Sequence, residues 1–274
     1  SYTAADAIDG TSLTSFDASA FNGTTTINVS AAIAQDVTLK AGSATDDALS
    51  FSGVNGLLKA STGILTADGF ENVALLTATA ASTIDATGLT GVDAIAVEND
   101  QNVTLDGLAA GVDVQLGAVA SNNGLSDYSG LLEVKLADET GSDDALTVNL
   151  VKTYADDLLD ATLKTTGIET VTIKHNAVAS KSDGDLNISA VKAANLILTG
   201  GLAGESLDLT KGSSTLSSTT TSVDATGLAS DLTLAAAGST ATTVTAKAQN
   251  ISFTGSAAAD SLTVGSAGSE IGAA

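Results

Sequence analysis

The amino-acid sequence predicts an all-β chain that folds as a right-handed parallel β-solenoid with irregular rungs. Three observations lead to this fold class: short alternating apolar runs, degenerate internal repeats and a composition suited to a narrow core. Hydrophobic residues make up 43% of the 274 residues, yet aromatic residues contribute only 3%, and Trp and Met are absent. The core must therefore be filled by Val, Ile, Leu and Ala, which suit a thin, long object better than a thick globule.

The apolar runs have the length and the alternation of β-strands. In most of them Val, Ile or Leu alternates with Thr, Asn, Asp or Ala, which is the period-two pattern of a half-buried strand. The runs lie at residues 25–29, 37–39, 73–75, 95–97, 103–105, 112–116, 134–136, 146–148, 171–173, 196–198, 232–234, 244–246, 251–253 and 262–264. Between the runs, Val151–Leu163 comes nearest to helical spacing, so the sequence allows one short helix there.

Three short motifs recur along the chain and indicate internal repeats. The first is a β-branched or aromatic residue followed by Asp-Ala-(Thr/Ser), at Phe16–Ser19, Ile84–Thr87 and Val223–Thr226, with a looser copy at Leu159–Leu163. The second is Gly-apolar-Glu-x-Val, at Gly69–Val73 and Gly167–Val171, with a relative at Leu132–Val134. The third is Asp-x-Leu-(Thr/Ser)-(Val/Phe), at Asp47–Phe51, Asp144–Val148 and Asp260–Val264, with a variant at Glu205–Leu209.

The order of these motifs favours a solenoid. Asp47 precedes Glu71 by 24 residues and Asp144 precedes Glu169 by 25, so a motif pair repeats after about 97 residues. A solenoid tolerates such degenerate repeats because each rung contacts only its neighbours. We therefore expect residues 1–274 to form one elongated solenoid segment, and the absence of a starting Met predicts that it belongs to a longer chain. A β-sandwich remains the alternative, since Asn-Gly and Asp-Gly pairs, which favour hairpin turns, occur along the chain.

Charge and composition exclude several classes of partner. The chain has 32 acidic and 10 basic residues, all ten of them Lys, and its net charge is −22. Such a chain repels nucleic acid, whose phosphates need Lys and Arg partners. The sequence contains no run of 18 apolar residues, so we expect no membrane span. An anionic membrane or glycan surface could be approached only through bridging cations.

The motifs resemble those of the S-layer proteins of Gram-negative bacteria. The resemblance rests on Ile84–Leu89, on the Gly-apolar-Glu-x-Val motif and on Gly141–Val148, while Thr254–Thr263 is similar to the entry into an RTX repeat array. Members of that group often carry RTX repeats and leave the cell by type I secretion. The resemblance implies a location outside the cell, on the bacterial surface, and assembly into a two-dimensional lattice. RTX repeats bind Ca²⁺ between rungs through Asp and glycine carbonyls.

Paired carboxylates in Gly- and Ser-rich turns are the candidate calcium ligands. Ca²⁺ takes six to eight hard oxygen ligands, and acidic loop residues with backbone carbonyls can supply them. The candidates are Asp46, Asp47, Asp143, Asp144, Glu205 and Asp260, and Asp138 and Glu139 could join the Asp143 site. The alternative is that these side chains cap the backbone of their own turns. We also expect a structural role for Asp17, Asp85 and Asp224, which can form an Asx-turn or a hydrogen bond between rungs, and for Glu71, Glu133 and Glu169, which precede strands and can satisfy an N–H at a corner.

Catalytic candidates are few, and we expect no enzyme activity. His175 is the single histidine, and without Cys or a second His it does not indicate a zinc site. No Gly-x-Ser-x-Gly elbow surrounds any Ser. The β-helix fold also suggests polysaccharide lyases, which use Lys or Arg as base and favour aromatic sugar platforms. This chain has no Arg, no Trp and only three Tyr.

The expected function is therefore structural. The sequence predicts a self-assembling surface-layer protein whose partners are copies of itself and, for anchoring, lipopolysaccharide or another cell-surface glycan. The alternative is the repeat stalk of a large secreted RTX adhesin.

Overall fold

The computed structural model describes residues 2–3, 8, 12–30, 36–52, 57–58, 65–76, 81–98, 101–116, 130–152, 159–177, 184–238, 240–247, 250–265 and 271–272. Within these ranges the regular structure is almost entirely β-strand. Two single-turn 3-10 helices, at Ala86–Gly88 and Lys211–Ser213, are the exceptions in the described ranges.

The strands are short and follow one another along the whole chain. The first thirteen are β1 (Tyr2–Thr3), β2 (Ser15–Asp17), β3 (Thr25–Ser30), β4 (Val37–Lys40), β5 (Ala48–Ser52), β6 (Leu57–Leu58), β7 (Leu65–Asp68), β8 (Asn72–Leu75), β9 (Ser82–Asp85), β10 (Leu89–Thr90), β11 (Ala94–Val97), β12 (Val103–Leu108) and β13 (Asp113–Leu116). The others are β14 (Leu131–Leu136), β15 (Ala145–Lys152), β16 (Leu159–Thr165), β17 (Thr170–Ala177), β18 (Gly184–Val191), β19 (Asn195–Gly200), β20 (Ser206–Asp208), β21 (Ser222–Leu228), β22 (Asp231–Ala235), β23 (Thr243–Ala246), β24 (Ile251–Thr254), β25 (Ser261–Val264) and β26 (Ile271–Gly272).

These strands form three sheets in which neighbours along a sheet are never neighbours along the chain. Sheet I has twelve strands in the order β1-β3-β5-β8-β11-β13-β15-β17-β19-β21-β23-β25. Sheet II has ten, in the order β26-β24-β22-β20-β18-β16-β14-β12-β9-β6, and sheet III has four, in the order β10-β7-β4-β2. The chain thus circles from sheet to sheet, and each circuit, or rung, adds one strand to sheet I. At a strand spacing of about 4.8 Å, sheet I is roughly 50 Å long.

The predicted parallel β-solenoid is confirmed. Every strand pair among the described residues is parallel, whereas a sandwich is built from antiparallel pairs, so the β-sandwich alternative is wrong. The helix allowed at 151–163 is also wrong where the structure describes that segment, because β15 continues to Lys152 and β16 begins at Leu159. Residues 153–158 lie outside the described ranges.

Aliphatic side chains stack inside the solenoid in columns that follow the strand register. One column in sheet I runs through Ile27, Leu49, Val73, Ile95, Val114, Val148, Ile173 and Leu198. All eight side chains are buried. Because side chains of a strand point alternately to its two faces, every second residue enters such a column. The narrow aliphatic core expected from the composition is confirmed.

Rungs differ in length without breaking the register of sheet I. Asp113 pairs with Thr147, which is 34 positions further along the chain, whereas Thr243 pairs with Ser261, only 18 positions further along. The strands β5 and β15, which hold two copies of the Asp-x-Leu motif, are four rungs apart in sheet I. The 97-residue repeat therefore corresponds to four rungs of unequal length.

Candidate functional site

Carboxylates line the corner through which the chain enters sheet I. An acidic residue directly precedes six of its strands: Asp47 before β5, Glu71 before β8, Asp93 before β11, Asp144 before β15, Glu169 before β17 and Asp260 before β25. Asp46, Glu139 and Asp143 lie in the same turns. We call this set of nine residues the acidic corner. Because successive strands are about 4.8 Å apart, the corner places acidic residues of neighbouring rungs beside one another.

Asp47 is a fully buried carboxylate with one free oxygen. Its exposure is 0%, and its Oδ1 accepts a hydrogen bond from the Thr25 amide at 2.5 Å on the preceding rung. Its Oδ2 is buried and has no hydrogen-bond partner among the described residues, and the same holds for Thr25 Oγ1. Asp46 differs, because it is exposed and its Oδ1 accepts the Thr24 hydroxyl at 2.8 Å. Of this pair, only Asp47 therefore has a buried carboxylate oxygen without a hydrogen-bond partner in the described ranges.

The Gly-apolar-Glu-x-Val motif caps the rung that carries the Asp-x-Leu motif. Glu71 Oε2 accepts the Asp47 amide at 2.8 Å, and Glu169 Oε2 accepts the Asp144 amide at 3.0 Å. The two motifs are 24 and 25 residues apart because they occupy adjacent rungs and touch each other. The structural role expected for Glu71 and Glu169 is confirmed. Glu133 instead forms an ion pair with Lys164 at 2.9 Å, so its expected role as a corner cap is wrong.

The turn before β15 holds a second pair of unpartnered oxygens. Asp144 Oδ2 and Glu139 Oε1 are both buried and lack a hydrogen-bond partner among the described residues. The Asp144 carboxylate folds back over Gly141, since a Cβ there would lie 3.0 Å from each carboxylate oxygen. Glu139 reaches the next rung, where a Cβ on Gly167 would lie 2.7 Å from its own Cβ. Asp143 is exposed, as Asp46 is in the equivalent position.

Glu205 and Asp260 cap backbone amides. Glu205 Oε2 accepts the Leu202 amide at 2.8 Å, within its own turn. Asp260 Oδ1 accepts the Thr242 amide at 2.8 Å, and its Oδ2 accepts the Ser256 amide at 2.5 Å. Burial raises the pKa of Asp260. The hydrogen bonds from the Thr242 and Ser256 amides together lower the pKa by more than burial raises it, so the net shift is downward. Both residues thus cap backbone amides, and calcium binding at them stays a prediction.

Two turns of the acidic corner hold carboxylate oxygens without a hydrogen-bond partner among the described residues. In the described ranges, no three Asp, Glu or His side chains gather as a metal site. A cation at Asp47, or at Glu139 and Asp144, would therefore take much of its coordination from backbone carbonyls and water. Ca²⁺ accepts such mixed oxygen shells. The three unpartnered carboxylate oxygens are the donors that these turns would contribute.

The Asp-Ala-(Thr/Ser) motif forms local turns. Asp17, Asp85 and Asp224 each accept the amide of the residue two positions on, which confirms their expected structural role. In Asp224, hydrogen bonds from the Thr226 hydroxyl and amide lower the carboxyl pKa. The same geometry occurs at three further places that the sequence reading missed: Asp138–Thr140, Asn187–Ser189 and Asp208–Thr210. An Asx residue two positions before Thr or Ser was the signal available for them.

His175 lies inside the solenoid. In the register of sheet I it stacks between Leu150 and Gly200, and its exposure is only 2%. Its Nδ1 lies 3.2 Å from the Oγ of Ser230, which is also buried. Gly200 has a φ of +82°, and a Cβ there would lie 2.5 Å from the His175 carbonyl oxygen. The imidazole is therefore a packed part of the core.

No helix in the described ranges is long and apolar enough to cross a membrane. Comparison of the chain with protein-family models, with curated proteins and with solved structures found no match.

Proposed function

We propose that this chain is a structural, self-assembling surface-layer protein that forms a calcium-dependent two-dimensional lattice on the bacterial cell. One observation carries the proposal. Carboxylate oxygens of Asp47, Glu139 and Asp144 are buried and lack a hydrogen-bond partner in the described ranges, in a chain whose net charge is −22.

The buried oxygens call for a cation. An ionised carboxylate that loses its water without gaining a partner is strongly destabilising. A Ca²⁺ ion bound at Asp47, or between Glu139 and Asp144, offsets that cost and ties the turn to its neighbouring rung. Lys side chains supply only ten positive charges in the whole chain. Calcium is also abundant outside the cell, where the proposal locates the protein.

Calcium also acts between copies. At a net charge of −22, copies repel one another once they come within about a Debye length, near 8 Å at physiological ionic strength. Divalent cations on the acidic corner lower this repulsion and can bridge exposed carboxylates such as Asp46 and Asp143 of facing copies. The same bridging lets the chain approach lipopolysaccharide or another anionic cell-surface glycan, which serves as its anchor in this proposal.

Burial of His175 supports a function without catalysis. The single histidine is enclosed in the core at 2% exposure, where no substrate reaches it. The side chain most often used for proton transfer at neutral pH is thus part of the packing. Assembly, in this proposal, is the activity of the protein.

The test is calcium-controlled assembly of the purified chain. Electron microscopy and light scattering should detect ordered sheets in millimolar Ca²⁺ and dispersed monomers in chelator. Sheets that form equally well in chelator contradict the calcium requirement, and monomers in both conditions contradict self-assembly. Monomers that stiffen with calcium without forming sheets indicate the adhesin stalk instead.

Adjacent acidic residues provide a matched pair of variants. Asp144→Asn removes the half-buried carboxylate whose Oδ2 is buried and unpartnered, whereas Asp143→Asn makes the same charge change on the exposed neighbour. We expect Asp144→Asn to raise the calcium concentration for half-maximal assembly about tenfold, which corresponds to the loss of about 1.4 kcal/mol of binding free energy. Asp143→Asn should shift it much less. Equal shifts would mean that only net charge matters.

A further inference from the structure

A polar cluster crosses three neighbouring strands in the interior of sheet I, on the face that points away from the core. Asp113 lies on β13, Asn149 on β15, and Lys174 and Asn176 on β17. Asn149 and Lys174 are direct partners in the strand register, so their backbones lie about 4.8 Å apart. Asp113 pairs with Thr147, two positions before Asn149, and is therefore diagonal to Asn149 on the same face.

The Asp113 carboxylate contacts the side-chain nitrogens of both Asn149 and Lys174. Its Oδ2 accepts a hydrogen bond from Asn149 Nδ2 at 3.1 Å and forms an ion pair with Lys174 Nζ at 3.4 Å. Asn176 Nδ2 donates to Asn149 Oδ1 at 3.4 Å. The Asn149 amide thus has a polar partner on its nitrogen and another on its oxygen, and the lysine amine shares the first of them.

The amide is held in place while the amine can move. Asn149 is buried, and its two hydrogen bonds fix the orientation of its side-chain amide. The Lys174 side chain is 41% exposed, and its flexible four-carbon stem lets Nζ swing from the carboxylate to the neighbouring amide carbon. A fixed electrophile beside a tethered nucleophile gives a high effective concentration for their reaction.

These four side chains supply the groups that transfer of an amide from one nitrogen to another requires. The Lys174 amine is a nucleophile and Cγ of Asn149 is the carbon that it can attack. A carboxylate in contact with both nitrogens can carry protons between them, and an N–H on the carbonyl oxygen stabilises the negative charge that develops there. We propose that Lys174 and Asn149 form a covalent isopeptide bond, with Asp113 as the proton-transfer residue.

The reaction conserves atoms and needs no co-reactant. The Lys174 ammonium gives one proton to Asp113, and Nζ then attacks Cγ of Asn149, whose oxygen takes up negative charge beside Asn176. Asp113 passes its proton to Nδ2, the Cγ–Nδ2 bond breaks as the carbonyl forms again, and ammonia leaves. A second proton from Nζ passes through Asp113 to the ammonia, so ammonium is the by-product.

The bond joins two adjacent rungs covalently. It links β15 to β17 and closes a loop from Asn149 to Lys174 in a chain that has no Cys and therefore no disulfide. Such a cross-link constrains the unfolded chain and keeps the two rungs together under load. The inference goes beyond the proposed function, because neither calcium nor a contact between copies takes part. The bond should form equally well in chelator.

Mass spectrometry of the purified full chain tests the proposal. Bond formation releases ammonia, so the intact mass should fall by about 17 Da. In a trypsin digest, residues 136–152 and 165–181 should be found joined, because an acylated Lys174 is no longer a cleavage site. Incubation at alkaline pH, which removes protons from amines, should increase the joined fraction.

Two variants separate the roles, and a third is the matched control. Lys174→Arg keeps a positive charge opposite Asp113, but a guanidinium does not attack an amide, so no joined peptides should form. Asp113→Asn should slow bond formation at least about a hundredfold, the usual contribution of a positioned acid–base group. Lys164→Arg changes the lysine that pairs with Glu133 on sheet II, and its joined fraction should equal that of wild type.

Four outcomes would overturn the proposal in variants whose circular dichroism shows a retained fold. The wild-type mass could stay unchanged after prolonged incubation, or ammonia could be lost without joined peptides, which indicates a cyclic imide at an Asn residue. Joined peptides could persist in Lys174→Arg, which would identify another amine as the nucleophile. Bond formation at the wild-type rate in Asp113→Asn would overturn the role of Asp113. None of these results depends on whether calcium drives assembly.

Discussion

Replacing Asp47 by Asn should reveal whether its buried carboxylate is a calcium ligand or only a cap. The side chain is fully buried, its Oδ1 accepts the Thr25 amide, and its Oδ2 has no hydrogen-bond partner in the described ranges. The Asn oxygen can keep the Thr25 hydrogen bond while the negative charge disappears. Asp46→Asn is the control, since Asp46 is the adjacent, exposed carboxylate.

The expected change in the free energy of unfolding has opposite signs in chelator and in calcium. In chelator, Asp47→Asn removes an uncompensated buried charge, worth about 3–5 kcal/mol, but leaves an unpaired amide that costs about 1–3 kcal/mol. The free energy of unfolding should therefore rise by about 2 kcal/mol. In calcium at a hundred times the dissociation constant, wild type should gain about 2.7 kcal/mol and the variant far less.

Urea denaturation followed by circular dichroism, with and without calcium, measures both effects. Asp46→Asn should respond to calcium as wild type does and change stability by no more than about 0.5 kcal/mol. An Asp47→Asn variant that is less stable than wild type in chelator would show that the carboxylate is a favourable cap. A calcium response equal to that of wild type would refute the role of Asp47 as a ligand.

Three further predictions concern the scaffold that holds the acidic corner. Gly200→Ala and Gly204→Ala both place Ala at positive φ, but only at Gly200 does the new Cβ meet a carbonyl oxygen, at 2.5 Å, while Gly204 has open space. Gly204→Ala should lower the free energy of unfolding by about 1–2 kcal/mol, and Gly200→Ala should lower it by at least about 1 kcal/mol more. Equal losses in urea denaturation would contradict the clash between the new Cβ at position 200 and the carbonyl oxygen. Phe51→Ala should cost about 3–5 kcal/mol in the same assay, because Phe51 is fully buried, and a loss below about 1 kcal/mol would mean that the core collapses around the gap. Thr226→Ala should raise the pKa of Asp224 part of the way towards its ordinary value in an NMR titration, because the hydroxyl hydrogen bond, the larger of the two that lower it, is lost while the amide remains. The lowered pKa of Asp224 stabilises the fold above about pH 4, and this contribution disappears as the pH falls further. Thr226→Ala should therefore also reduce the loss of stability in acid. An unchanged Asp224 pKa in the variant would contradict the hydrogen bond from the Thr226 hydroxyl.

The strands, and the contact between the Asp-x-Leu and Gly-apolar-Glu-x-Val motifs on adjacent rungs, could be predicted from the sequence because both are periodic. Alternation in one strand fixes which side chains point inward, and the 24-residue spacing of Asp47 and Glu71 equals the length of one rung. The burial of Asp47 was predictable from the same alternation, although it was missed. Asp47, Leu49 and Phe51 share one parity, so the carboxylate enters the core side of the corner while Asp46 faces solvent.

Other features depend on the neighbouring rung and left no local signal. Glu133 follows the same apolar-Glu-x pattern as Glu169, but it lies within β14, and Lys164 of the next rung determines its ion pair. His175 stacks between Leu150 and Gly200 in sheet I, and Ser230 contacts its ring. These pairings join residues 25 to 55 positions apart, and rungs of unequal length prevent their alignment from sequence alone.

The unequal rungs have a consequence for engineering. A rung can lengthen from 18 to 34 residues while sheet I keeps its pairing, as the Thr243–Ser261 and Asp113–Thr147 pairs show. A foreign peptide or small domain inserted in the connection after β13 should therefore leave the columns inside the solenoid intact. If copies assemble in the proposed lattice, they would display that insert at fixed, repeated intervals, and the protein would serve as a scaffold for dense display.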